Sequence, residues 1–231
     1  VSLLTLDNVH AFYGKAYILH GVSLTVGRGE RVAVIGRNGV GKTTIVNSFL
    51  GIARVRQGLI EMNGRTPRTI RHFTAAQAGI AVVPQGRRIV PGLTVRENLQ
   101  LGAAGNRKGR WTMQAVFDLF PILRERADQI GVSMSGGQQQ MLAIGRALMS
   151  NPDLVVLDEP SEGLAPVIVD ELADLCLRLG REGVSILLIE QNFGLVHRTT
   201  ERYYVLAKGA VVEEGRMEGL TIENLKKHVA V

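Results

Sequence analysis

Disulfides are excluded first, because the chain holds one cysteine, Cys176. A lone thiol fits a reducing compartment. It lies in an apolar helical pattern, which reads as a buried structural thiol rather than a reactive one. Long apolar runs are also missing. None approaches the roughly 18 unbroken apolar residues of a membrane span. The stretch Val1 to Asp7 has no basic region followed by an apolar block, so no signal peptide is expected there. Internal repeats and low-complexity linkers are absent. Acidic residues are outnumbered, 21 Asp and Glu against 27 Lys and Arg, for a net charge of +6. That balance suits phosphate ligands or an anionic membrane surface. It does not draw a nucleic-acid stripe, because the basic residues are scattered as Arg65, Arg68 and Arg71 in one place and Arg107, Lys108 and Arg110 in another. These read as solvated surface charge.

What the chain does have is a 45% hydrophobic content, enough for a sizeable core, and one commanding stretch, Gly36-Arg37-Asn38-Gly39-Val40-Gly41-Lys42-Thr43. It fits the phosphate-binding pattern G-x-x-x-x-G-K-[ST]. Arg31 to Ile35 before it is a short β-branched run that reads as a buried strand, and Thr44 to Leu50 after it reads as a helix. Strand, glycine-rich loop and helix are the context the motif needs. Glycines let the backbone wrap a phosphate with its N–H groups pointing inward, and the helix N-terminus adds partial positive charge. Lys42 supplies a full charge to the β- and γ-phosphates, and the Thr43 hydroxyl can ligate Mg²⁺.

In chain order, Leu3 to Val9 and Ile18 to Val26 read as strands, with Ala11-Phe12-Tyr13-Gly14 as a turn between them. Tyr13 taken alone favours a core position over a platform for a flat ligand. Gly58 to Gly64 and Gly79 to Val83 are further strand regions. From Gly86 to about Ser150 the pattern turns helical, with Thr94 as a cap and Pro121 interrupting Met113 to Leu123. Asp153 to Leu157 and Val184 to Ile189 are continuous apolar runs that read as central parallel strands. Between them Val167 to Leu179 is an amphipathic helix. Arg202 to Ala207 and Ala210 to Glu213 read as a hairpin, and Thr221 to Val229 as a last short helix. The expected fold is α/β, a phosphate-loop NTPase core with a mainly parallel sheet, an N-terminal antiparallel β subdomain and a helical insertion. Residues 1–231 are expected to form one domain, with about 1–86 and 151–231 as core and about 87–150 as helical subdomain.

Ligands in parallel α/β sheets sit beyond the carboxyl ends of the strands. The phosphate loop, Gln85, Asp158-Glu159 and Gln191 all follow expected strands, so they converge on one edge if those strands share a sheet. Asp158 stands where a phosphate-loop enzyme holds Mg²⁺, and Glu159 beside it can polarise an attacking water. Ser135-Gly136-Gly137 opens a helix over Gln138 to Met149, a second helix N-terminus able to bind an anion. Two such ends in one chain suggest two chains facing each other.

Ser133-Met134-Ser135-Gly136-Gly137-Gln138, one helix ahead of Asp158-Glu159, resembles the signature motif of ATP-binding cassette (ABC) proteins, with Met134 in place of the usual leucine. The resemblance covers nearly the whole chain. It implies that Ser135, Gly136, Gly137 and Gln138 act on ATP held by the loop of a partner subunit. It implies that Gly36 to Thr44 binds nucleotide and Tyr13 stacks on adenine. It also implies that Gln85 touches Mg²⁺ and the attacking water and links to a membrane subunit, with Arg87 and Arg88 candidates for that contact. Ser161 to Ala165 matches the D-loop, with Ala165 replacing the usual Asp. Gln191 occupies the switch position where most of the family has His; its amide can donate a hydrogen bond but cannot carry charge. The runs Val83 to Arg88, Gln139 to Leu148, Gly163 to Pro166 and Ile189 to Asn192 look like the second, shorter ATPase of branched-chain amino-acid importers. The ATPases of urea and short-chain amide importers are similar; Gln85 and Glu162 lean toward that branch, and Met141 to Leu148 toward the amino-acid branch. The expected function is ATP hydrolysis with Mg²⁺, driving uptake of such solutes from the cytoplasmic face of a bacterial inner membrane. Expected partners are permease subunits, a second ATPase subunit (a paralogue or a copy) and, indirectly, a periplasmic solute-binding protein, with no nucleic acid. A soluble cassette ATPase would carry two fused cassettes or a long coiled coil, and a non-hydrolysing regulatory module would lack Glu159.

Overall fold

The structure is a computed structural model and describes residues 2–224. The expected last helix, Thr221 to Val229, falls largely outside them. Two sheets carry the fold. In the first, β1 (Ser2–Tyr13) pairs antiparallel with β2 (Ala16–Gly27) on one side. Among its buried residues, Leu4, Leu6 and Ala11 pair with residues of both neighbours. The turn expected at Ala11 to Gly14 is displaced, because β1 continues to Tyr13. Ala11 is paired on both sides, with Leu19 and with Val55, so two ladders hold it extended where composition suggested a bend.

The second sheet is built around β3 (Arg31–Ile35), the strand that leads into the glycine-rich loop and α1 (Lys42–Phe49). The chain returns through β4 (Arg54–Met62), the third strand of the first sheet, then α2 (Thr74–Gln77) and β5 (Ile80–Val83). Four helices follow: α3 (Val95–Gly102), α4 (Met113–Leu119), α5 (Pro121–Glu125) and α6 (Gly136–Leu148). Thr94 caps α3 in a reciprocal box with Glu97, whose carboxyl those bonds hold below the usual range. Pro121 ends α4 and opens α5 at its first turn, where its missing N–H costs nothing. Then come β6 (Leu154–Asp158), α7 (Pro166–Arg181), β7 (Ser185–Glu190), α8 (Phe193–Thr199), β8 (Arg202–Ala207) and β9 (Ala210–Arg216).

The strand order is β5-β6-β7-β3-β8-β9, parallel except for β9 against β8. Strand alternation divides the core in two. Ile35, Leu157 and Leu188 face the layer of α6, α7 and α8. Val34, Val156 and Leu187 face α1 and the antiparallel sheet. Burial on both faces is why these strands read as unbroken apolar runs. The register pairs Val83 with Leu157, Asp158 with Ile189 and Ile35 with Glu190. Four carboxyl-terminal strand ends therefore stop level, and the polar residues that follow them are delivered to one edge. Among the described residues no helix is long and apolar enough to cross a membrane.

Candidate active site

Helix α1 starts on Gly41, which is in the left-handed region at φ 110° and offers no side chain to cap the helix. Its first N–H groups stay available for an anion. Arg37, Asn38 and Gly39 are exposed, Val40 and Thr43 half-buried, and Gly36, Gly41, Lys42 and Thr44 buried. Lys42 is 3% exposed, and its ammonium donates to the carbonyls of Gly36 (2.9 Å) and Arg37 (3.1 Å). It also pairs with Glu159 Oε1 at 3.0 Å. A buried ammonium is stable only with such partners.

Asp158 ends β6 and is 2% exposed; Thr43 Oγ1 donates to its Oδ1 at 3.3 Å. Burial, reinforced by the charges of Glu159 and Glu190, pushes the Asp158 carboxyl up to about 6, against the lowering effect of the Thr43 hydroxyl and Lys42. Glu159 follows with a positive φ of 48°, its N–H tied to the Ile189 carbonyl at 2.8 Å. Non-glycine residues seldom adopt that conformation, and here it is held by the surrounding loop. Gln85 is exposed at the end of β5, yet its Nε2 reaches Glu159 Oε2 (3.3 Å) and Glu162 Oε2 (3.0 Å). Lys42, Thr43, Gln85, Asp158 and Glu159 are thus brought together. Gln191 is exposed at the end of β7, and its backbone N–H donates to Glu190 at 2.8 Å. Tyr13 is 39% exposed beside α1, with its hydroxyl accepting from Asn47 Nδ2 at 2.6 Å. It is not the core residue that its type alone favours.

Ser135 is exposed and caps α6 with Gln138 in a reciprocal box: the Gln138 N–H donates to Ser135 Oγ, and the Ser135 N–H to Gln138 Oε1. Gly136 and Gln138 are half-buried, and Gly137 is buried against Ile168. This helix end opens to solvent, well removed in the chain from the loop at Gly36 to Thr44.

Three contributions were not foreseen from the sequence. Glu190, 1% exposed, accepts from the N–H groups of Ser161 (3.0 Å), Gln191 (2.8 Å) and Asn192 (2.9 Å), so one buried carboxylate organises two loops. Gly209, in the β8–β9 turn, donates its N–H to the Val40 carbonyl at 2.9 Å and props the phosphate-binding loop. Arg87, read as a candidate for an outside partner, turns inward onto the Glu162 carbonyl at 3.0 Å, whereas Arg88 is exposed. The acidic character of Glu190 at a strand end was a signal; the other two depend on contacts distant in sequence.

A level edge of parallel strands, with a glycine-rich loop, a buried lysine and paired carboxylates, defines a nucleoside-triphosphate-binding protein of the phosphate-loop class. The chain belongs to the ABC transporter family, whose model matches residues 19–162. It is 44% identical over 212 residues to the high-affinity branched-chain amino acid transport ATP-binding protein BraG of Pseudomonas aeruginosa, covering 91% of each chain. It is 32% identical to the probable branched-chain amino acid transport ATP-binding protein LivF of Archaeoglobus fulgidus, covering 92% of each. Among solved structures, a nucleotide-free ATP-binding cassette from an ABC transporter superposes with a TM-score of 0.83 at 27% identity, over 100% of this chain and 96% of that one. The chain is therefore an ABC ATPase that binds and hydrolyses ATP.

Proposed function

We propose that this ATPase powers import of branched-chain or related amino acids, as a peripheral subunit on the cytoplasmic face of a bacterial inner membrane. The identity to BraG over nine-tenths of both chains supports the solute class. The geometry that carries the mechanism is the convergence of Lys42, Thr43, Asp158 and Glu159 at one sheet edge.

In this reading residues Gly36 to Thr44 cradle the triphosphate and Tyr13 lies under the adenine. Lys42 exchanges its bond to Glu159 for phosphate oxygens when ATP binds, which leaves the Glu159 carboxylate to take a proton from the attacking water. Gln191 and Gln85 orient that water and the γ-phosphate through neutral amides. The oxygen donors fit Mg²⁺: Thr43 Oγ1 and Asp158 Oδ1 are 3.3 Å apart, close to the roughly 3 Å separation of neighbouring ligands around an octahedral ion. Those two side chains would hold it, with Gln85 nearby, and it would neutralise charge on the phosphate oxygens. Ser135, Gly136, Gly137 and Gln138 close over nucleotide bound by a second ATPase subunit. The permease docks near Gln85 and the helical unit of residues 87–150, inserted in the core of 1–86 and 151–231, and a periplasmic protein delivers the solute. ATP favours the closed pair because that state alone makes these contacts, and loss of the γ-phosphate releases it.

Glu159→Gln tests the mechanism. It removes the base and keeps the binding groups, so ATP turnover should fall at least about a hundredfold while ATP affinity holds. Unchanged turnover would sink the assignment. Uptake of labelled leucine by proteoliposomes holding the complete complex tests the solute, and transport of urea without leucine would replace it.

A further inference from the structure

We infer that Glu162 and Arg87 are positioning residues, a two-point clasp that holds Gln85 beside Glu159 for the hydrolytic step. The inference rests on the reading of Glu159 as the base.

The clasp joins two loops. Glu162, in the loop after β6, uses its carboxylate to accept from Gln85 Nε2 at 3.0 Å. Its carbonyl accepts from Arg87 Nη2 at 3.0 Å. Gln85 and Arg87 both belong to the loop after β5, so one residue grips that loop twice. The same Gln85 nitrogen lies 3.3 Å from Glu159 Oε2. Two carboxylates therefore share one amide, and the share taken by Glu162 governs how firmly Gln85 holds Glu159.

The gripped loop needs holding. Gly86, Arg87 and Arg88 have consecutive positive φ values of 75°, 63° and 49°. For the two arginines this conformation is unfavourable and lasts only where neighbours over-determine it. One neighbour is Glu162. The other is Arg146 of α6, whose Nη2 donates to the Arg87 carbonyl at 3.0 Å. Arg146 Nη1 in turn reaches Asn98 Oδ1 of α3 at 3.5 Å. The Arg87 guanidinium also lies 3.4 Å from where a Cβ on Gly136 would sit. Arg87 thus touches the loop after β6 and the start of α6 from a single position. The strain in the loop, the clasp and α6 form one connected unit that ends on Glu159. Glu162 bonds Gln85 directly and Arg87 ties the same loop to Glu162, so the clasp acts on Glu159 through Gln85.

A positioning role predicts a specific kinetic pattern. Glu162→Ala and Arg87→Ala should each lower kcat about fivefold, the scale of one hydrogen bond, at unchanged KM for ATP. Glu162→Gln keeps an acceptor for the Gln85 amide and should hold kcat within about twofold of wild type. The double alanine variant should lose less than the product of the single losses, because both act on one group. Glu162 is exposed, so the thermal midpoint of Glu162→Ala should stay put. Steady-state ATPase assays of the purified full-length variants measure all of this. Alanine variants with wild-type kcat, a rise in KM, or a Glu162→Gln variant as slow as Glu162→Ala would each overturn the clasp. Glu159→Gln in the same assay separates the two readings. If it loses turnover while the alanine variants keep theirs, the clasp alone is wrong; if it retains turnover, base and clasp fall together.

Discussion

Asp158 is the residue whose protonation says most about how the site is built. Its carboxyl is raised from 3.8 to about 6, chiefly by burial. An acid raised in the folded state favours folding below its unfolded value and loses that contribution as pH rises through the folded one. For Asp158 the loss falls between about pH 4 and pH 6, and amounts to at most about 3 kcal/mol. Asp158→Asn removes the charge and keeps the shape. In urea unfolding without nucleotide it should gain on wild type as pH rises, with the gap open at pH 7 and closed at pH 4. Parallel profiles for the two proteins would show that Asp158 is not desolvated. The place of Asp158 was readable in advance, because it ends four apolar residues that form a central strand. What the sequence did not reveal was the side-chain partnership. Glu162 meets both Gln85 and Arg87 from a loop more than 70 positions away in number, and no local pattern encodes such a meeting. Cys176 was legible for the opposite reason: an apolar helical setting is a local signal, and its thiol is indeed buried and pushed up to about 12.

Among elements, the central strands were plain in the sequence and the turns that support the site were not. Leu154 to Leu157 and Ile186 to Ile189 are buried on both faces, which leaves an apolar run no surface segment would tolerate. The end of β1 was misplaced because Ala11 and Phe12 are extended by pairing on both sides, a tertiary cause that overrides local preference. The β8–β9 turn looked like an ordinary Lys-Gly hairpin. Its Gly209, at φ 78°, supports the phosphate loop through Val40 and accepts from the His20 N–H at 2.8 Å. A Cβ there would stand 2.0 Å from the Ile18 carbonyl. Gly209→Ala should therefore shift the turn and weaken ATP binding at least about tenfold, the effect of a displaced anion cradle rather than of lost charge. Nucleotide titration by fluorescence checks this, and wild-type affinity would mean the loop holds its shape unaided.

At the scale of the whole molecule, the account turns on the exposed end of α6. The phosphate loop and the Ser135 turn both stand at helix N-termini, and Ser135 is exposed rather than packed inside the chain. The proposal gives each ATP one loop from its own subunit and one turn from a partner. Sedimentation velocity of the Glu159→Gln protein with MgATP tests that arrangement most directly, run alone and with Ser135→Arg added. The account predicts a dimer for the first and a monomer that still binds ATP for the second. A monomer in both cases, or a dimer that Ser135→Arg leaves intact, would contradict it.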